Sequence, residues 1–149
     1  MFLIDEYEKI TSFRDEYSFL SNFHPCEIVF EGMTFPTLEH AYVAAKTFDK
    51  KQREIIRGIK MPGQAKRYGR DKITLRSDWE DVKVSIMRDL VYQKFTKHEI
   101  LKQKLLNTGD KLLVEGNQHG DTFWGTVNGK GKNQLGVVLM NVRDKLKND

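Results

Sequence analysis

A glutamate and a lysine, Glu39 and Lys46, stand seven positions apart in the segment TLEHAYVAAK. At about 100° per residue, seven steps return a helical chain to within about 20° of its starting direction. The two side chains therefore share a helix face with Tyr42. A carboxylate can move protons, and a neutral lysine amine can attack an imine carbon. A solvated lysine and a glutamate that complements the helix dipole explain the same pair, but the small and apolar residues between them favour burial, and buried charges need partners.

The segment SFLSNFHP, from Ser18 to Pro25, places an amide and a hydroxyl among aromatic side chains. Ser21, Asn22 and Phe23 form a candidate surface that stacks on a planar ring and hydrogen-bonds to it. A turn anchored by hydrophobic side chains explains the same pattern, so both interpretations stay open.

The glycine-rich segments GDTFWG and GKGKNQLG predict a constrained loop that leads into a helix. The second segment lacks the GxxxxGK[ST] spacing of a phosphate loop. A helix that begins near Asn133, with Lys132 just before it, still offers backbone N–H groups and positive charge to a phosphate. A basic hairpin tip followed by an ordinary helix cap is the alternative.

Two arginines in AKRYGRD, Arg67 and Arg70, are further candidates for binding phosphate, because a guanidinium can donate two parallel hydrogen bonds. Arginines near helix ends are common, so this pattern alone does not identify a site. Trp79 follows a helix start, where a tryptophan is more often a core residue than a ligand platform.

Short strands followed by helices position these residues. CEIVFEGMTF has β-branched and aromatic residues on both sides of Glu31-Gly32, which predicts a β-hairpin, and KITSF and KLLVEGN predict further strands. Helix starts are predicted from capping residues or an early proline at Thr37, Asp49, Pro62 and Ser77, the last in a capping box with Glu80. An apolar stripe predicts a last helix from Asn133 to Leu146. We predict a single α+β domain, residues 1–149, rich in helices and with a few antiparallel strands.

The composition excludes several classes of protein. A net charge of +4, with 39% hydrophobic and 31% charged residues, is typical of one folded domain and gives a mild bias toward polyanions. Cys26 is the only cysteine and the histidines are scattered, so we expect neither an intramolecular disulfide nor a metal site. The apolar run Val137 to Met140 is too short to span a membrane, and the start MFLIDEYEK lacks a signal-peptide pattern. A cytoplasmic protein is expected.

Together and in this order, the motifs resemble those of the NADAR family, also called the YbiA-like family. The matching residues are Ser21-Asn22-Phe23, Thr34-Phe35-Pro36-Thr37, Glu39-His40, Lys46-Thr47-Phe48, Gly69-Arg70-Asp71, Leu75-Arg76, Asp78-Trp79-Glu80, Val82-Lys83, Asp121, Phe123-Trp124-Gly125, Gly131-Lys132-Asn133 and Leu135-Gly136. The resemblance covers about residues 12–147. The shared order and spacing make it more specific than any one motif.

The resemblance implies a small α+β enzyme that breaks N-glycosidic bonds without a metal or redox cofactor. Family members act on ribosylamine intermediates of the riboflavin pathway or on guanine bases that carry ADP-ribose. In both substrates an exocyclic amine is bonded to ribose C1. The net charge and the lysines near the glycine-rich loop favour ADP-ribosylated guanine in DNA or RNA, and a ribosylamino-pyrimidine phosphate is the alternative.

Read with this resemblance, the first pair of residues suggests a mechanism. A ribosylamine can open to an imine, and we expect the Lys46 amine to replace the leaving amine and form a Schiff base that water hydrolyses. Glu39 would move protons at the ribose, and Asp121 would assist at its hydroxyls or ring oxygen. The competing mechanism is direct displacement, in which Glu39 or Asp121 stabilises an oxocarbenium-like state and activates water.

The remaining motif residues are candidates for binding the substrate. Those expected to contact the base or the ribose are Ser21, Asn22, Phe23, His40, Tyr42, Trp79, Phe123, Trp124 and Gly125, and those expected to bind phosphate are Arg70, Lys132 and Asn133. Two functions of other classes compete with the enzyme. The first is a non-catalytic module that binds ADP-ribose or NAD, which would need neither Glu39 nor Lys46. The second is a nucleic-acid-binding protein, for which no known motif is present.

Overall fold

The computed structural model describes residues 8–149, so most of the acidic start MFLIDEYEK lies outside the described residues. The chain forms two compact units. One unit is Asn22–Lys94, and the other comprises residues 8–21 and 95–149. No helix among residues 8–149 is both long and apolar enough to cross a membrane.

Helices dominate the described chain. The strands are β1 (Lys9–Ile10), β2 (Pro25–Phe30), β3 (Met33–Thr37) and β4 (Leu112–Leu113), and a 3₁₀ helix covers Asp15–Leu20. The α-helices are α1 (Leu38–Ala45), α2 (Lys50–Gly58), α3 (Pro62–Asp71), α4 (Trp79–Lys97), α5 (Glu99–Leu106) and α6 (Gln134–Lys147). This content confirms the predicted helix-rich α+β class.

The two strand pairs run in different directions. Strands β2 and β3 form the predicted antiparallel hairpin, with Ile28 opposite Phe35. Its turn residues Glu31 and Gly32 have φ angles of 46° and 84°, as a tight two-residue hairpin turn requires. Strands β1 and β4 pair in parallel, so the expectation of antiparallel strands does not hold for them. These two strands are distant in sequence, and no tight turn constrains their direction.

Local capping explains where most helices begin. The Thr37 hydroxyl accepts a hydrogen bond from the His40 N–H at 3.1 Å, and the Asp49 carboxylate accepts one from the Gln52 N–H at 3.0 Å. Both predicted starts are confirmed, as is the proline in the first turn of α3.

The start of α4 differs from the predicted capping box. The helix begins at Trp79, and the Asp78 carbonyl accepts the hydrogen bond from Val82 N at 3.2 Å, so Asp78 rather than Ser77 occupies the cap position. The Glu80 carboxylate accepts a hydrogen bond from Lys83 Nζ at 2.6 Å. The predicted capping box of Ser77 and Glu80 was therefore wrong, because the cap position lies one residue later in the chain.

Each unit has its own apolar core. In Asn22–Lys94, every residue of α1 is buried, and α3 packs so closely on α1 that a Cβ at Gly69 would collide with Val43. In the other unit, the predicted stripe of α6 is buried: Leu135, Val138, Leu139, Val142 and Leu146. A Cβ at Gly136 would strike the Leu113 carbonyl, so the first turn of α6 lies directly against β4.

Candidate functional site

Two of the three predicted catalytic residues, Glu39 and Lys46, lie in and directly after helix α1, which is buried in its unit. Glu39 is 8% exposed and stands in the first turn, while half-buried Lys46 directly follows the last helical residue. The Glu39 N–H donates to the Asn22 carbonyl at 3.0 Å. The SNF segment and the predicted acid are therefore tied together through the backbone.

Two aromatic rings surround the Lys46 amine. Its Nζ lies 5.4 Å from the centre of the Tyr42 ring and 5.9 Å from that of Trp79. The two rings pack edge to face with centres 5.1 Å apart. The structure thus brings Tyr42, Lys46 and Trp79 into one cluster, which we call the amine box. Trp79 is only 5% exposed and also serves the core.

The surroundings of Lys46 lower the pKa of its amine. Burial lowers the pKa of Lys46 from its ordinary value, the charge of Glu39 raises it, and the charges of Lys66 and Lys83 lower it further. The net direction is downward. The faces of aromatic rings stabilise an ammonium ion, which limits the shift. A lowered pKa increases the fraction of amine that can act as a nucleophile near neutral pH.

His40, which was predicted to contact substrate, lies in the interior of its unit, and its contact with substrate stays a prediction. Its side chain is fully buried, with Nδ1 at 2.7 Å from Thr37 Oγ1 and Nε2 at 2.8 Å from the Ile59 carbonyl. A carbonyl only accepts, so Nε2 carries the proton and Nδ1 accepts from the Thr37 hydroxyl. Burial lowers the pKa of His40, and the bond to Ile59 opposes the shift. His40 therefore links α1 to the segment after α2.

Other predicted residues of this unit lie at the surface or support the core. The Asn22 side-chain amide donates to Met87 Sδ at 3.6 Å, whereas Phe23 is largely exposed. Arg70 is 72% exposed on its side chain and pairs with Asp71 at 2.9 Å. A groove of about 190 Å³ runs along α3, and neither Glu39 nor Lys46 lines it. Phosphate binding by Arg70 stays a prediction.

The Asp121 loop lies in the unit of residues 8–21 and 95–149, as does Ser21 at the end of the 3₁₀ helix. Asp121 Oδ1 accepts hydrogen bonds from Phe123 N at 3.1 Å and Trp124 N at 2.9 Å. The rings of Phe123 and Trp124 then pack edge to face, with centres 4.9 Å apart. One oxygen of Asp121 thus shapes the loop, and its proposed action on a sugar stays a prediction.

At the start of α6, where a phosphate site was predicted, the first backbone N–H groups have partners within the protein. The N–H groups of Gln134 and Leu135 donate to the carbonyls of Phe123 and Trp124 at 3.0 and 2.9 Å. These are the N–H groups that a helix start offers to an anion. They already have partners because the loop of Phe123 and Trp124 folds over them.

Asn133 and Gly125 also have structural roles instead of the predicted contacts with substrate. Asn133 Oδ1 accepts from Glu115 N and its Nδ2 donates to the Leu113 carbonyl, both at 2.9 Å. A Cβ at Gly125 would collide with Glu115, so glycine is required for this close approach. The Lys132 amine lies 5.6 Å from the Phe123 ring centre, where contact with a phosphate stays a prediction.

Sequence reasoning assigned no function to Arg76, Lys66 or Lys83. Both lysines act on the charge of the Lys46 amine, and the Arg76 N–H donates to the Lys46 carbonyl at 2.8 Å. Lys83 lies one helical turn after Trp79 on the same face of α4. This spacing is the sequence pattern that could have predicted a role for Lys83 beside the amine box. Among residues 8–149, no three His, Cys, Asp or Glu side chains are grouped so that they could hold a metal ion.

A buried carboxylate and a half-buried amine of lowered pKa lie at the two ends of α1, and such a pair suits proton transfer and nucleophilic attack. The model of the NADAR domain matches residues 8–147, and the chain belongs to the NADAR family. The resemblance seen in the motifs is therefore confirmed.

Relatives support the same class. The chain is 43% identical to the N-glycosidase YbiA of Escherichia coli (strain K12) over 89% of its own length and 83% of that protein. The NMR structure of E. coli YbiA matches with a TM-score of 0.81 at 42% identity, over 93% of this chain and 83% of that one. The N-glycosidase Npun_R5314 of Nostoc punctiforme (strain ATCC 29133 / PCC 73102) is 41% identical over 89% of this chain and 87% of its own length.

A longer relative has a name that points to metabolism. The riboflavin biosynthesis protein VVA0006 of Vibrio vulnificus (strain YJ016) is 40% identical over 89% of this chain, which spans 36% of that protein. The chain described here is an enzyme of the N-glycosidase class of hydrolases.

Proposed function

We propose that this N-glycosidase cleaves the bond between ribose C1 and an exocyclic amine, and that Lys46 forms the covalent intermediate. The observation that carries the proposal is the amine box. It holds a lysine of lowered pKa beside two aromatic rings, directly after the buried helix that carries Glu39. A binding module for ADP-ribose would need neither the amine nor the acid.

The proposed reaction begins when the ribosylamine opens, with a proton transferred to the ring oxygen and an imine formed between C1 and the exocyclic nitrogen. The neutral Lys46 amine adds to C1, and a proton passes from the lysine nitrogen to the exocyclic nitrogen. The base then leaves as a free amine, and a lysine imine remains. Water adds to that imine and releases the sugar aldehyde and the lysine. Glu39 accepts and returns the protons.

The substrate that the observations favour is a ribosylamino-pyrimidine phosphate. A relative that shares this domain is named a riboflavin biosynthesis protein. ADP-ribosylated guanine is the second candidate, and the net charge of +4 supports it. The lysines near the glycine-rich loop also support that candidate, but the first N–H groups of α6 have partners within the protein, which weakens this support.

Trapping with borohydride tests the covalent step. The protein is incubated with each substrate and sodium borohydride, and the modified residue is mapped by mass spectrometry. We expect an adduct on Lys46 that is absent in Lys46→Met and retained in Lys51→Met, which removes an exposed lysine of α2. An adduct on another lysine would assign the covalent step to that residue, whereas no adduct together with full activity of Lys46→Met would favour direct displacement.

A comparison of the two substrates tests the second part of the proposal. Wild type and Glu39→Ala are offered the ribosylamino-pyrimidine phosphate and ADP-ribosylated guanine in DNA and RNA. We expect wild type to release the pyrimidine faster, and Glu39→Ala to be impaired on both. Turnover of the guanine adduct alone would show that the substrate is the ADP-ribosylated base.

A further inference from the structure

The C-terminal end of α1, where Lys46 is held, is bound by a residue outside the helix. The Arg76 N–H donates to the Lys46 carbonyl at 2.8 Å, and Arg76 Nη1 donates to the Ala45 carbonyl at 3.3 Å. The last carbonyls of a helix have no partners within the helix. Arg76 supplies partners for two of them, next to the peptide that carries the proposed nucleophile.

The guanidinium of Arg76 is itself fixed on three sides. Its Nε and Nη2 donate to the two carboxylate oxygens of Asp78 at 2.6 and 3.0 Å. The Phe48 ring covers one face, with its centre 4.2 Å from the guanidinium carbon. The Arg76 side chain is only 11% exposed. A bidentate pair with one largely buried partner holds a defined geometry.

The ion pair of Arg76 and Asp78 also lies next to Trp79, the second aromatic residue of the amine box. The Asp78 carbonyl accepts hydrogen bonds from Asp81 N and Val82 N and so starts α4, whose first residue is Trp79. The guanidinium therefore connects the Ala45 carbonyl, at the end of α1, to Asp78, which precedes Trp79, while the backbone N–H of Arg76 holds the Lys46 carbonyl. Its charge is compensated by Asp78, and the hydrogen bonds between them lower the pKa of the Asp78 carboxyl.

We propose that Arg76 is a positioning residue for the Lys46 amine, because it sets the distance between the end of α1 and the start of α4. The effect of Arg76 on catalysis rests on the function proposed above, whereas its effect on the position of the Lys46 amine is a property of the free protein. Arginine is required here. The single ammonium of a lysine cannot bind both Asp78 oxygens and the Ala45 carbonyl while it also stacks on Phe48.

The test compares Arg76→Lys with Arg57→Lys. Arg57 forms an ion pair with Glu54 of the same 2.6 Å length, but on the exposed surface of α2. The pKa of the Lys46 ammonium is measured by NMR in the free protein, and kcat and KM are measured with the cleaved substrate. For Arg76→Lys we expect kcat to fall by about tenfold to a hundredfold, since small displacements of a reacting group have effects of this size. We expect KM to change little and the pKa of Lys46 to rise toward its ordinary value, while Arg57→Lys changes none of these.

Several outcomes would overturn the inference. A folded Arg76→Lys variant with the pKa and kcat of wild type shows that Arg76 does not position Lys46, and a change in KM alone shows that it binds substrate. If Arg76→Lys does not fold, Asp78→Asn provides the same readouts, because it keeps the arginine and weakens its anchor. A shifted pKa in a protein that cleaves neither substrate supports the positioning and refutes the proposed function instead.

Discussion

The Lys46 amine lies 5.9 Å from the centre of the Trp79 ring, at the point where the end of α1 meets the start of α4. The indole and the neighbouring Tyr42 ring offer no hydrogen-bond acceptor to the ammonium through their faces. The rings contribute to the burial of the amine, and burial lowers the pKa of Lys46 even though the ring faces attract the ammonium. The relationship between these two residues turns an ordinary surface amine into a candidate nucleophile.

The pH dependence of activity follows from that lowered pKa. Only the neutral amine attacks, so kcat/KM should rise with pH along a limb of unit slope and level off above the pKa of Lys46. Because the pKa is lowered, the midpoint should lie below 10.5. A pH profile of kcat/KM measures the midpoint, since this ratio reports groups of the free enzyme. A profile that is flat from pH 6 to pH 10 would contradict an essential neutral lysine.

Replacement of Trp79 should shift the rising part of the pH profile of kcat/KM. In Trp79→Leu, water gains access to the amine, so we expect the midpoint of the pH profile to shift upward and kcat at pH 7 to fall by about tenfold, which corresponds to a pKa change of about one unit. Ile56→Val is the control, because it removes a methyl group from the core of the same unit. Loss of stability without a shifted midpoint would show that Trp79 acts only in the core.

His40 should affect stability and not substrate affinity. His40→Leu leaves the Ile59 carbonyl and the Thr37 hydroxyl without their partner, which costs about 1–3 kcal/mol of unfolding free energy. The pKa of His40 is lowered in the folded state, so wild type should lose stability as pH falls below 6.5, and His40→Leu should lose less. Urea unfolding at several pH values measures both effects. A large rise in KM would restore His40 as a substrate ligand.

Asn133 should likewise act through the fold. Its backbone is left-handed, with φ at 50°, so Asn133→Gly keeps the conformation and removes only the hydrogen bonds to Glu115 and Leu113. We expect a loss of about 1–3 kcal/mol of stability and an unchanged KM. Asn128→Gly, at an exposed turn with φ at 53°, is the matched control and should change neither quantity. A raised KM in a stable Asn133→Gly variant would point back to a phosphate contact.

Local patterns in the sequence predicted local structure well. Thr37 and Asp49 cap their helices as predicted, and Glu31-Gly32 forms the hairpin turn, because each of these features depends on neighbouring residues alone. The shared face of Tyr42 and Lys46 also follows from helical geometry alone, and it is confirmed by the position of the amine over the ring.

Features that depend on distant contacts were not predictable in this way. No local pattern shows that the carbonyls of Phe123 and Trp124 fill the start of α6, or that the His40 ring turns inward to Ile59. A helix start and a histidine ring both suit a ligand equally well, and only the fold decides which partner each of them binds. The same limit hid Arg76, whose partner Lys46 lies thirty positions earlier in the chain.

A buried lysine outside the amine box provides a last prediction. Lys94 is 1% exposed, and burial lowers its pKa to about 8, while the nearby Cys26 thiol opposes the shift. An unfolded lysine keeps its proton up to about pH 10.5. Between about pH 8 and pH 10.5, Lys94 binds fewer protons in the folded state than in the unfolded state. The free energy of unfolding therefore rises with pH in this range, and the destabilisation caused by burying the charged Lys94 amine is largest below pH 8.

Lys94→Met should therefore be more stable than wild type at pH 7, by at most on the order of 3 kcal/mol. Its advantage should shrink as pH rises from 8 toward 10. Burial raises the pKa of the Cys26 thiol and the Lys94 charge lowers it, so both proteins are compared in a Cys26→Ala background to isolate Lys94. Lys97→Met, an exposed lysine of the same helix, is the control and should follow wild type. A difference between Lys94→Met and wild type that stays constant across this pH range would show that the Lys94 amine keeps its ordinary pKa in the folded protein.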